Sequence, residues 1–396
     1  MAGSVRDVVV VGGGPAGSAA AIFLRQRGHD VLLLDEARFP RDKICGEGVS
    51  PEAWRLLAAM DAGDDVRALR PYPLRGMELT SPDGTCFRGS YRGIPDAGFS
   101  ARRRDLDACL LAAARRAGAE VREGVRASAL IRRDGRVCGV LASNGAGDIP
   151  VEARLVVAAD GRRSMVARQL GLLREHGRLR RYAVRGYWSD VDGLGEHGEM
   201  HVVRGGYCGI APLAATEANV TFVLDREAMH ASAGDLEGFY RATLDRWPRV
   251  AERLARATLT EAPRAIGPLA LEARRVSVPG AALVGDAAGF YDPFTGEGVT
   301  LALRGAEILA DVADRSLRGG EDLGEYDRRR AEATRDKFRL NRLLQRVVAW
   351  PALADAVARR LARRPDLADR LVGIAGDFVP ARTALGAGFV WDLLTS

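Results

Sequence analysis

The sequence predicts an α/β fold in which a parallel sheet is interrupted by an antiparallel sheet and followed by a helical C-terminal region. Three apolar runs, at 5–11, 153–159 and 281–284, each stop at a glycine or a carboxylate. Long stretches between these runs alternate polar and apolar residues, which is typical of half-buried strands. From residue 331 onward the apolar residues instead recur at helical spacing.

The first apolar run leads directly into a glycine-rich turn and an alanine-rich helix. Residues 5–11 contain five valines and are followed by Gly12-x-Gly14-x-x-Gly17. These glycines permit a tight turn, a close backbone approach to a pyrophosphate and close packing of helix on strand, and the helix N-terminus offers free N–H groups to phosphate. The predicted contact residues of this turn are Gly12, Gly14, Pro15, Ala16 and Gly17.

A second strand is predicted at 31–34, and it ends in two acidic residues, Asp35 and Glu36. In dinucleotide-binding sheets a carboxylate at this position accepts hydrogen bonds from ribose hydroxyls. Asp35 directly follows the apolar run and is therefore the first candidate, with Glu36 beside it as the second.

Two later strand ends indicate that the chain returns to the same ligand. The run 153–159 stops at Asp160-Gly161, and the run 281–284 stops at Gly285-Asp286. Ligands of open α/β sheets bind at the carboxyl ends of the strands, so we expect these residues at the ligand, with Asp286 near a ribityl hydroxyl. A fold that leaves the nucleotide site and returns twice is typical of FAD binding.

A further turn precedes a predicted helix that begins near Val299. Its small residues and free N–H groups suit the electron-rich pyrimidine edge of a flavin. The candidate cofactor contacts in this segment are Pro293, Gly296, Glu297, Gly298 and Val299.

In these motifs the chain resembles the geranylgeranyl-reductase-like branch of the FAD-dependent oxidoreductases, within the hydroxylase-type flavoprotein superfamily. The matching segments are Gly12 to Gly17, Phe39-Pro40-Arg41-Asp42-Lys43-Ile44-Cys45-Gly46, Arg103-x-x-Leu106-Asp107, Asp160-Gly161, and Gly285-Asp286 through Asp292-Pro293-Phe294-Thr295-Gly296-Glu297-Gly298. The resemblance implies a Rossmann-type FAD domain of the glutathione-reductase kind. It also implies that Arg103 contacts FAD and that Cys45 lies beside the isoalloxazine ring, with Lys43 and Gly46 in the same loop.

The role of Cys45 stays open between two interpretations. Lys43 and Lys337 are the only lysines among 58 basic residues, so a compact ammonium is retained two residues before the thiol. A nearby ammonium favours the thiolate, which would suit a chemical role for Cys45. The alternative is a small side chain and a positioning charge in the flavin loop.

The expected domains follow from the same pattern. A discontinuous FAD-binding domain is predicted at 1–76, 92–175 and 265–330, and a substrate-binding β-sheet domain at 77–91 and 176–264. A C-terminal helical region is predicted at 331–396. Residues 77–91 alternate around Pro82-Asp83-Gly84 and predict a hairpin, and the other predicted strands are 182–188, 199–203, 207–212 and 220–224.

An apolar sheet over the flavin is where a hydrophobic substrate is expected to bind. Archaeal prenyl reductases carry Tyr-x-Trp-x-Phe-Pro in this sheet, whereas this chain has Tyr207-Cys208-Gly209-Ile210-Ala211-Pro212. Glycine and alanine replace two bulky rings, so the pocket admits something wider than a linear prenyl chain or is refilled by other side chains. Halogenation is not expected, because the paired tryptophans of tryptophan-type halogenases are absent. The predicted substrate contacts are Tyr207, Ile210, Pro212 and Phe294.

The preferred function is an FAD-dependent reduction of a carbon–carbon double bond by hydride from flavin N5, in a lipid, an isoprenoid or a secondary metabolite. Tyr207 is the first candidate proton donor, with Tyr291 and Glu47 after it, and Cys45 is a further catalytic candidate. The first alternative is a monooxygenase that hydroxylates or epoxidises its substrate through a flavin hydroperoxide, and the second is a non-catalytic binder of hydrophobic ligands. NAD(P)H or a ferredoxin-like protein is the expected electron donor, because FAD uses the one dinucleotide motif.

Composition limits the remaining classes of function. The five cysteines are scattered without paired spacing, which predicts a reducing cytoplasm and no disulfide framework or metal site. The motif His197-x-Glu199-x-His201 lacks a fourth ligand and is interpreted as surface strand residues. No run of 18 apolar residues is present, and no recognised module accompanies the basic charge, so neither a membrane span nor nucleic-acid binding is expected.

The C-terminal region concentrates the positive charge of the chain. Residues 331–370 carry ten basic and five acidic side chains, with apolar residues at helical spacing. Two interpretations stay open: peripheral contact with an anionic membrane surface, or helices that cap the cofactor domain with a solvated arginine face.

Overall fold

The computed structural model describes residues 5–145, 147–177, 179–230, 234–386 and 388. The strands form two large sheets and two small ones. In chain order they are β1 (Arg6–Val11), β2 (Val31–Asp35), β3 (Gly48–Val49), β4 (Tyr72–Leu74), β5 (Gly76–Thr80), β6 (Cys86–Ser90), β7 (Gly98–Ser100), β8 (Glu120–Glu123), β9 (Arg126–Arg133), β10 (Arg136–Ser143), β11 (Asp148–Ala158), β12 (Leu173–Glu175), β13 (Arg181–Ser189), β14 (His197–Val203), β15 (Gly206–Pro212), β16 (Ala218–Asp225), β17 (Thr258–Ile266), β18 (Leu271–Ala273), β19 (Ser277–Val278) and β20 (Ala281–Leu283).

The helices surround these sheets. They are α1 (Pro15–Gln26), α2 (Ala53–Ala59), α3 (Gly63–Ala68), α4 (Arg103–Arg116), α5 (Met165–Gln169), α6 (Arg226–Met229), α7 (Leu236–Asp245), α8 (Pro248–Leu254), α9 (Gly298–Gly319), α10 (Gly324–Ala349), α11 (Pro351–Arg363), α12 (Pro365–Ala375) and α13 (Arg382–Leu385). Within the described residues no helix is long and apolar enough to cross a bilayer.

The first large sheet is the predicted parallel sheet. Its central order is β19-β20-β11-β1-β2-β8, and β1 pairs in parallel with both β2 and β11. The pairing of β11 with β20 is also parallel, so three strands that are far apart in the chain end at the same edge. Buried valines and leucines fill these strands, and helices α1, α4 and α9 pack against the sheet. The α/β prediction is confirmed.

A hairpin in this half of the molecule was missed by the sequence analysis. Strands β9 and β10 pair antiparallel, with Arg133 opposite Arg136. The two residues between them, Asp134 and Gly135, have φ angles of 51° and 77°. Asp-Gly with two positive φ angles is the preferred two-residue turn of a hairpin, so the signal was present in the sequence.

The second large sheet contains the predicted hairpin at 77–91 and the four other predicted strands. Its order is β17-β13-β16-β15-β14-β5-β6. One feature differs from the expected antiparallel sheet: β5 pairs with β14 in parallel, from Gly76 opposite His197 to Thr80 opposite His201. The other hairpin strand, β6, pairs antiparallel with β5 and forms the edge of the sheet.

The two faces of this second sheet pack against different helices. Strand residues including Val184, Ile210 and Phe222 pack beneath α7 and α8. Residues of the opposite face, including Met200 and Tyr207, belong to a different apolar cluster that also contains residues of α10 and α11. Helices α11 and α12 also pack on the hairpin strand β6, so the C-terminal helices close one side of the space between the sheets. The helical C-terminal prediction is confirmed for the described residues up to 385.

The motif His197-x-Glu199-x-His201 was wrongly assigned to the surface. Glu199 and His201 are both only 6% exposed, and the His201 imidazole lies 3.1 Å from the Glu199 carboxylate. Arg253 also pairs with this carboxylate at 2.8 Å. A strand covered on both faces buries alternate polar residues as well as apolar ones, and here the ion pair with Arg253 compensates the buried Glu199 carboxylate.

The contact between β1 and α1 allows a test of the predicted close packing at Gly17. A Cβ atom at this residue would lie 1.8 Å from the Gly12 carbonyl oxygen. We expect Gly17→Ala to lower the free energy of unfolding by about 1–3 kcal/mol through overpacking, and to weaken cofactor retention. Gly319→Ala is the matched control, because no other group lies within 4 Å of its Cβ position. Thermal unfolding monitored by circular dichroism would check both, and an unchanged melting temperature for Gly17→Ala would contradict the expected clash.

Candidate active site

A cavity of about 780 Å³ lies between the carboxyl edge of the parallel sheet and the second sheet, and it continues beneath the C-terminal helices. One part is bordered by the glycine turn and by the acidic strand ends. The other part is bordered by apolar side chains, among them Met200, Val223 and Leu344. One cavity thus joins a polar site suited to a nucleotide with an apolar site suited to a hydrophobic molecule.

The glycine turn forms one wall of the polar part. Gly12 has a φ of +101°, and a Cβ there would lie 2.5 Å from the Ala159 carbonyl oxygen, so only glycine allows the turn to approach β11 this closely. Gly14 borders the cavity and has only an Arg41 nitrogen near its Cβ position, at 3.5 Å. The turn therefore leaves room for a ligand at Gly14 and places a guanidinium beside it.

Asp35 is fixed at the end of β2 by two backbone N–H groups. The Gly13 amide donates to one carboxylate oxygen at 2.6 Å, and the Ala37 amide donates to the other at 2.8 Å. The Glu36 side chain, by contrast, is 73% exposed. Both residues border the cavity. The carboxylate of Asp35 is better placed than that of Glu36 to accept a hydrogen bond from a ribose hydroxyl, because two backbone N–H groups already fix its orientation.

Positive charge is gathered in the same part of the cavity. Arg41, Lys43, Arg103 and Arg162 border it, and Asp286 is the acid that acts on Lys43. Burial lowers the pKa of Lys43, and the neighbouring arginines lower it further, whereas Asp286 raises it. Guanidinium and ammonium groups at such a site are suited to bind an anionic group such as a diphosphate.

Asp160 presents an oxygen without a protein partner. Its Oδ2 atom accepts a hydrogen bond of 2.8 Å from the Met165 amide at the start of α5. Its Oδ1 atom is buried and has no hydrogen-bond partner within the described residues. Burial raises the pKa of this carboxyl, and the hydrogen bonds that it accepts oppose the shift. A buried acceptor on the cavity wall is satisfied when a ligand donates a hydrogen bond to it.

The loop that carries Cys45 is held by the carboxylate of Glu47. This carboxylate accepts hydrogen bonds from the Arg103 amide at 3.0 Å, from the Tyr187 hydroxyl at 2.5 Å and from the Asn219 amide at 3.1 Å. Tyr187 and Asn219 lie opposite each other on β13 and β16. Glu47 therefore joins the loop to the start of α4 and to two strands of the second sheet.

Glu47 has an unusual backbone and environment for a glutamate. It is 1% exposed and has a φ of +61°, in the left-handed region. Burial raises the pKa of its carboxyl, while the bonds from Tyr187, Arg103 and Asn219 lower it. Asn219 also donates to the Cys45 carbonyl at 2.8 Å, and the Glu47 amide donates to Cys45 Sγ at 3.4 Å. These contacts fix the Cys45 segment where it borders the cavity.

Tyr207 is placed at the junction of the polar and apolar parts. Its hydroxyl donates to Asp292 at 2.6 Å, and its ring meets Phe294 edge to face with centroids 5.0 Å apart. Arg181 lies 3.3 Å from the other oxygen of Asp292. Burial and the adjacent Asp292 raise the pKa of Tyr207 well above its usual value, and burial also raises the pKa of Asp292.

The amino-acid sequence matches the model of a family of FAD binding domains over residues 6–338. A menaquinone reductase from Mycobacterium tuberculosis is 32% identical over 331 residues, covering 78% of this chain and 76% of that protein. The chain belongs to this FAD-binding family. A digeranylgeranylglycerophospholipid reductase from Methanocella arvoryzae is 28% identical over 356 residues, covering 86% of this chain and 87% of that protein.

Solved structures of other proteins have a similar fold. The myxobacterial chondrochloren halogenase, an FAD-dependent enzyme, superposes with a TM-score of 0.81 at 27% identity, covering 86% of this chain and 82% of that chain. A geranylgeranyl bacteriochlorophyll reductase-like protein from Thermoplasma acidophilum superposes with a TM-score of 0.71 at 23% identity, covering 99% and 96% of the two chains. The protein is an FAD-dependent oxidoreductase, so the non-catalytic binder is not retained as an alternative.

The polar part of the cavity fits FAD on its own geometry. An open glycine turn, a fixed carboxylate at Asp35, a cluster of cations and the unpartnered Asp160 oxygen meet the needs of a ribose, a diphosphate and a hydroxylated linker. The predicted cofactor residues that border the cavity are Gly12, Gly14, Pro15, Ala16, Asp35, Glu36, Lys43, Cys45, Gly46, Arg103, Asp160, Gly161, Gly285, Asp286, Pro293, Gly296, Gly298 and Val299. Gly17 instead packs α1 on the glycine turn, as its predicted structural role requires.

Two of the four predicted substrate contacts point away from the FAD side of the second sheet. Ile210 packs in the apolar cluster under α7 and α8, although the residue borders the cavity. Pro212 does not border the cavity at all, whereas Tyr207 and Phe294 do. Side chains alternate along a strand, so Tyr207 shares a face with Gly209 and not with Ile210 or Pro212. The period of the strand could have revealed this in the sequence.

Tyr291 and Glu297 also lie outside the FAD cavity. The Tyr291 ring packs between His176 and Phe338, with centroid distances of 5.7 and 6.4 Å. The Glu297 carboxylate is 3.0 Å from Lys337 Nζ, which is also 3.0 Å from Asp377. The backbone of Glu297 stays a candidate for FAD contact, but its side chain joins the cofactor turn to the C-terminal helices.

The sequence analysis named Glu47 only as a weaker proton donor and Glu297 only as a cofactor contact, and it did not predict the ion-pair group around Lys337. The retention of lysine in an arginine-rich chain was a signal for Lys337 as well as for Lys43. An ammonium forms compact bonds with several acceptors at once, as Lys337 does with Glu297, Asp377 and the Ile374 carbonyl.

The Glu47 bonds generate one prediction about the stability of the cofactor loop. Glu47→Ala leaves three donors without an acceptor in a buried position, which costs about 1–3 kcal/mol for each unsatisfied group. We expect a lower free energy of unfolding and a larger fraction of purified protein without FAD. Glu47→Gln keeps an acceptor oxygen and should be milder. Denaturant unfolding and the ratio of flavin to protein absorbance measure both effects. Equal values for Glu47→Ala and Glu47→Gln would contradict a stabilising role for these hydrogen bonds.

The Lys337 group generates a second prediction. In the unfolded chain Glu297 loses its proton in the usual range of a glutamate, whereas in the folded protein burial raises its pKa to about 8. The free energy of unfolding therefore falls as the pH rises between these two values. Lys337→Met removes the compensating charge, and we expect a loss of about 3–5 kcal/mol at pH 9 and a smaller loss at pH 5. Lys337→Arg keeps the charge and is the matched control. Urea unfolding at both pH values provides the measurement, and a pH-independent loss would contradict the proposed pairing.

Proposed function

We propose that the enzyme reduces a carbon–carbon double bond of a hydrophobic small molecule, with Tyr207 as the proton donor. The observation that carries the proposal is the hydrogen bond between Tyr207 and the buried Asp292 at the junction of the two parts of the cavity. Bound FAD, once reduced, supplies the hydride for one carbon of the double bond. The protein then has to hold that bond, exclude water and deliver a proton to the second carbon.

The Tyr207–Asp292 pair can perform this proton transfer. Burial raises the pKa of Asp292, while Arg181 and the hydrogen bond from Tyr207 lower it. In its protonated form the carboxyl can donate to the Tyr207 oxygen. The phenolic proton is then free to point into the cavity and to pass to the substrate carbon, while Asp292 returns a proton to the phenolate.

The apolar part of the cavity supports a hydrophobic substrate. Residues of three C-terminal helices border it, including Leu340 of α10, Leu361 of α11 and Val372 of α12. Gly209 and Ala211 face the same space, at the two positions where prenyl reductases carry bulky rings. Met200 Cε lies 3.7 Å from the Cβ position of Gly209, so its side chain fills part of the volume left by the missing ring. We infer a substrate broader near the flavin than a linear prenyl chain.

The family comparisons favour reduction over oxygenation. The relatives from M. tuberculosis and M. arvoryzae are named as reductases, of menaquinone and of digeranylgeranylglycerophospholipid. Oxidative chemistry is the second candidate, as a monooxygenase, because the chondrochloren halogenase has the same fold at 27% identity. For either reaction we propose NAD(P)H, bound transiently, or a ferredoxin-like protein as the electron donor, since the glycine turn at 12–17 is used by FAD.

The proton-donor role of Tyr207 is tested by a single substitution. We expect Tyr207→Phe to slow double-bond reduction by about 10²–10⁴-fold while FAD content and flavin absorbance stay unchanged. The measurement is mass spectrometry for a gain of two hydrogens, with dithionite-reduced enzyme under nitrogen and with menaquinone and geranylgeranyl diphosphate as probe substrates. Tyr291→Phe tests the second predicted donor and should keep the wild-type rate. A loss in Tyr291→Phe alone would reverse the assignment, and oxygenated product formed only in air would favour the monooxygenase.

A further inference from the structure

Exposed apolar side chains are concentrated at the corner where α10 ends and α11 begins. Among the described residues the exposed large hydrophobic side chains are Val5, Leu69, Ile149, Leu343, Trp350 and Leu353. The last three lie at this corner, and Trp350 is 71% exposed. We call Leu343, Trp350 and Leu353, together with Arg342 and Arg346 beside them, the corner surface.

The corner surface is strongly basic. Residues 339–363 contain six arginines and one aspartate. Arg342 and Arg346 share the outer face of α10 with Leu343, and Arg346 lies one helical turn before Trp350. Within the part of the chain that the structure describes, neither Arg342 nor Arg346 forms an ion pair, whereas Arg339 and Arg359 pair with Asp336 and Asp83. The charge beside Trp350 is therefore available to an external partner.

The opposite face of the same helices borders the FAD cavity. Leu344, Val347 and Val348 of α10 and Val357 of α11 line its apolar part. A single layer of helix thus separates the cavity from the corner surface. A molecule that leaves a bilayer beneath this corner would need to pass only between or beside two helices to reach the apolar part of the cavity.

We propose that the corner surface docks on an anionic lipid bilayer and that the substrate enters the cavity from that bilayer. The second part rests on the proposed reduction of a hydrophobic molecule, but the docking itself does not. Tryptophan is favoured at the boundary between water and hydrocarbon, and arginines beside an amphipathic helix are attracted to anionic head groups. A second copy of this chain is a poorer partner, since a symmetric contact would bring the unpaired arginines together.

Vesicle co-sedimentation of the full-length FAD-loaded protein tests the docking. We expect binding to vesicles of phosphatidylcholine with phosphatidylglycerol, weaker binding to phosphatidylcholine alone, and release at high salt. Trp350→Ser should weaken binding by roughly tenfold, the effect of losing on the order of 55 Å² of buried apolar surface. Arg342→Gln with Arg346→Gln should weaken it by roughly 30-fold and reduce the salt dependence. Ile149→Ser is the control, because Ile149 is 58% exposed on β11 and lies outside the corner surface.

The remaining outcomes separate the docking from the proposed function. Absence of wild-type binding, or equal binding by wild type and Trp350→Ser, overturns the proposal. A change from dimer to monomer in Trp350→Ser, seen by light scattering without any change in vesicle binding, would assign the corner surface to a contact between copies and would also overturn it. If docking holds but no double bond is reduced in menaquinone-containing vesicles, the proposed reaction fails while the docking surface stands. If turnover is independent of Trp350 in vesicles, access from the bilayer is wrong.

Discussion

The parallel pairing of β1 with β11, and of β11 with β20, is the constraint on which the rest of the molecule depends. These strands are separated by long insertions, and their pairing brings the glycine turn, Asp160 and Gly285 to one edge. Close packing at Gly12 and Gly17 permits this approach, because a side chain at either position would meet a carbonyl oxygen. A dinucleotide can therefore contact segments from three distant parts of the sequence.

A second set of contacts joins this FAD-binding half to the sheet above it. The Glu47 carboxylate bonds to Tyr187 and Asn219, and Asp42 pairs with Arg185 at 2.8 Å. All three partners lie on the neighbouring strands β13 and β16 of the second sheet. Because the loop carrying Cys45 is attached both to the start of α4 and to the second sheet, polar bonds as well as apolar packing set the position of the substrate face relative to the FAD-binding half.

The C-terminal helices connect the chemistry of the cavity to its surroundings. Their inner faces complete its apolar part, Lys337 attaches them to the turn before α9, and their outer corner carries Trp350 among unpaired arginines. Tyr207 and Asp292 lie where the apolar and polar parts meet. The proposed proton donor and the proposed access route from a bilayer thus both depend on this one arrangement of helices over a sheet.

The sequence by itself determined the FAD-binding fold, the strand ends that carry Asp35, Asp160 and Asp286, and the hairpin around Asp83-Gly84, because local glycine and alternation patterns specify these features. Only the tertiary structure decided which candidates share a site. It placed Tyr291 and the Glu297 carboxylate outside the cavity, and it buried Glu199 and His201. Such outcomes depend on which distant segment covers a given face, and no local pattern in the chain contains that information.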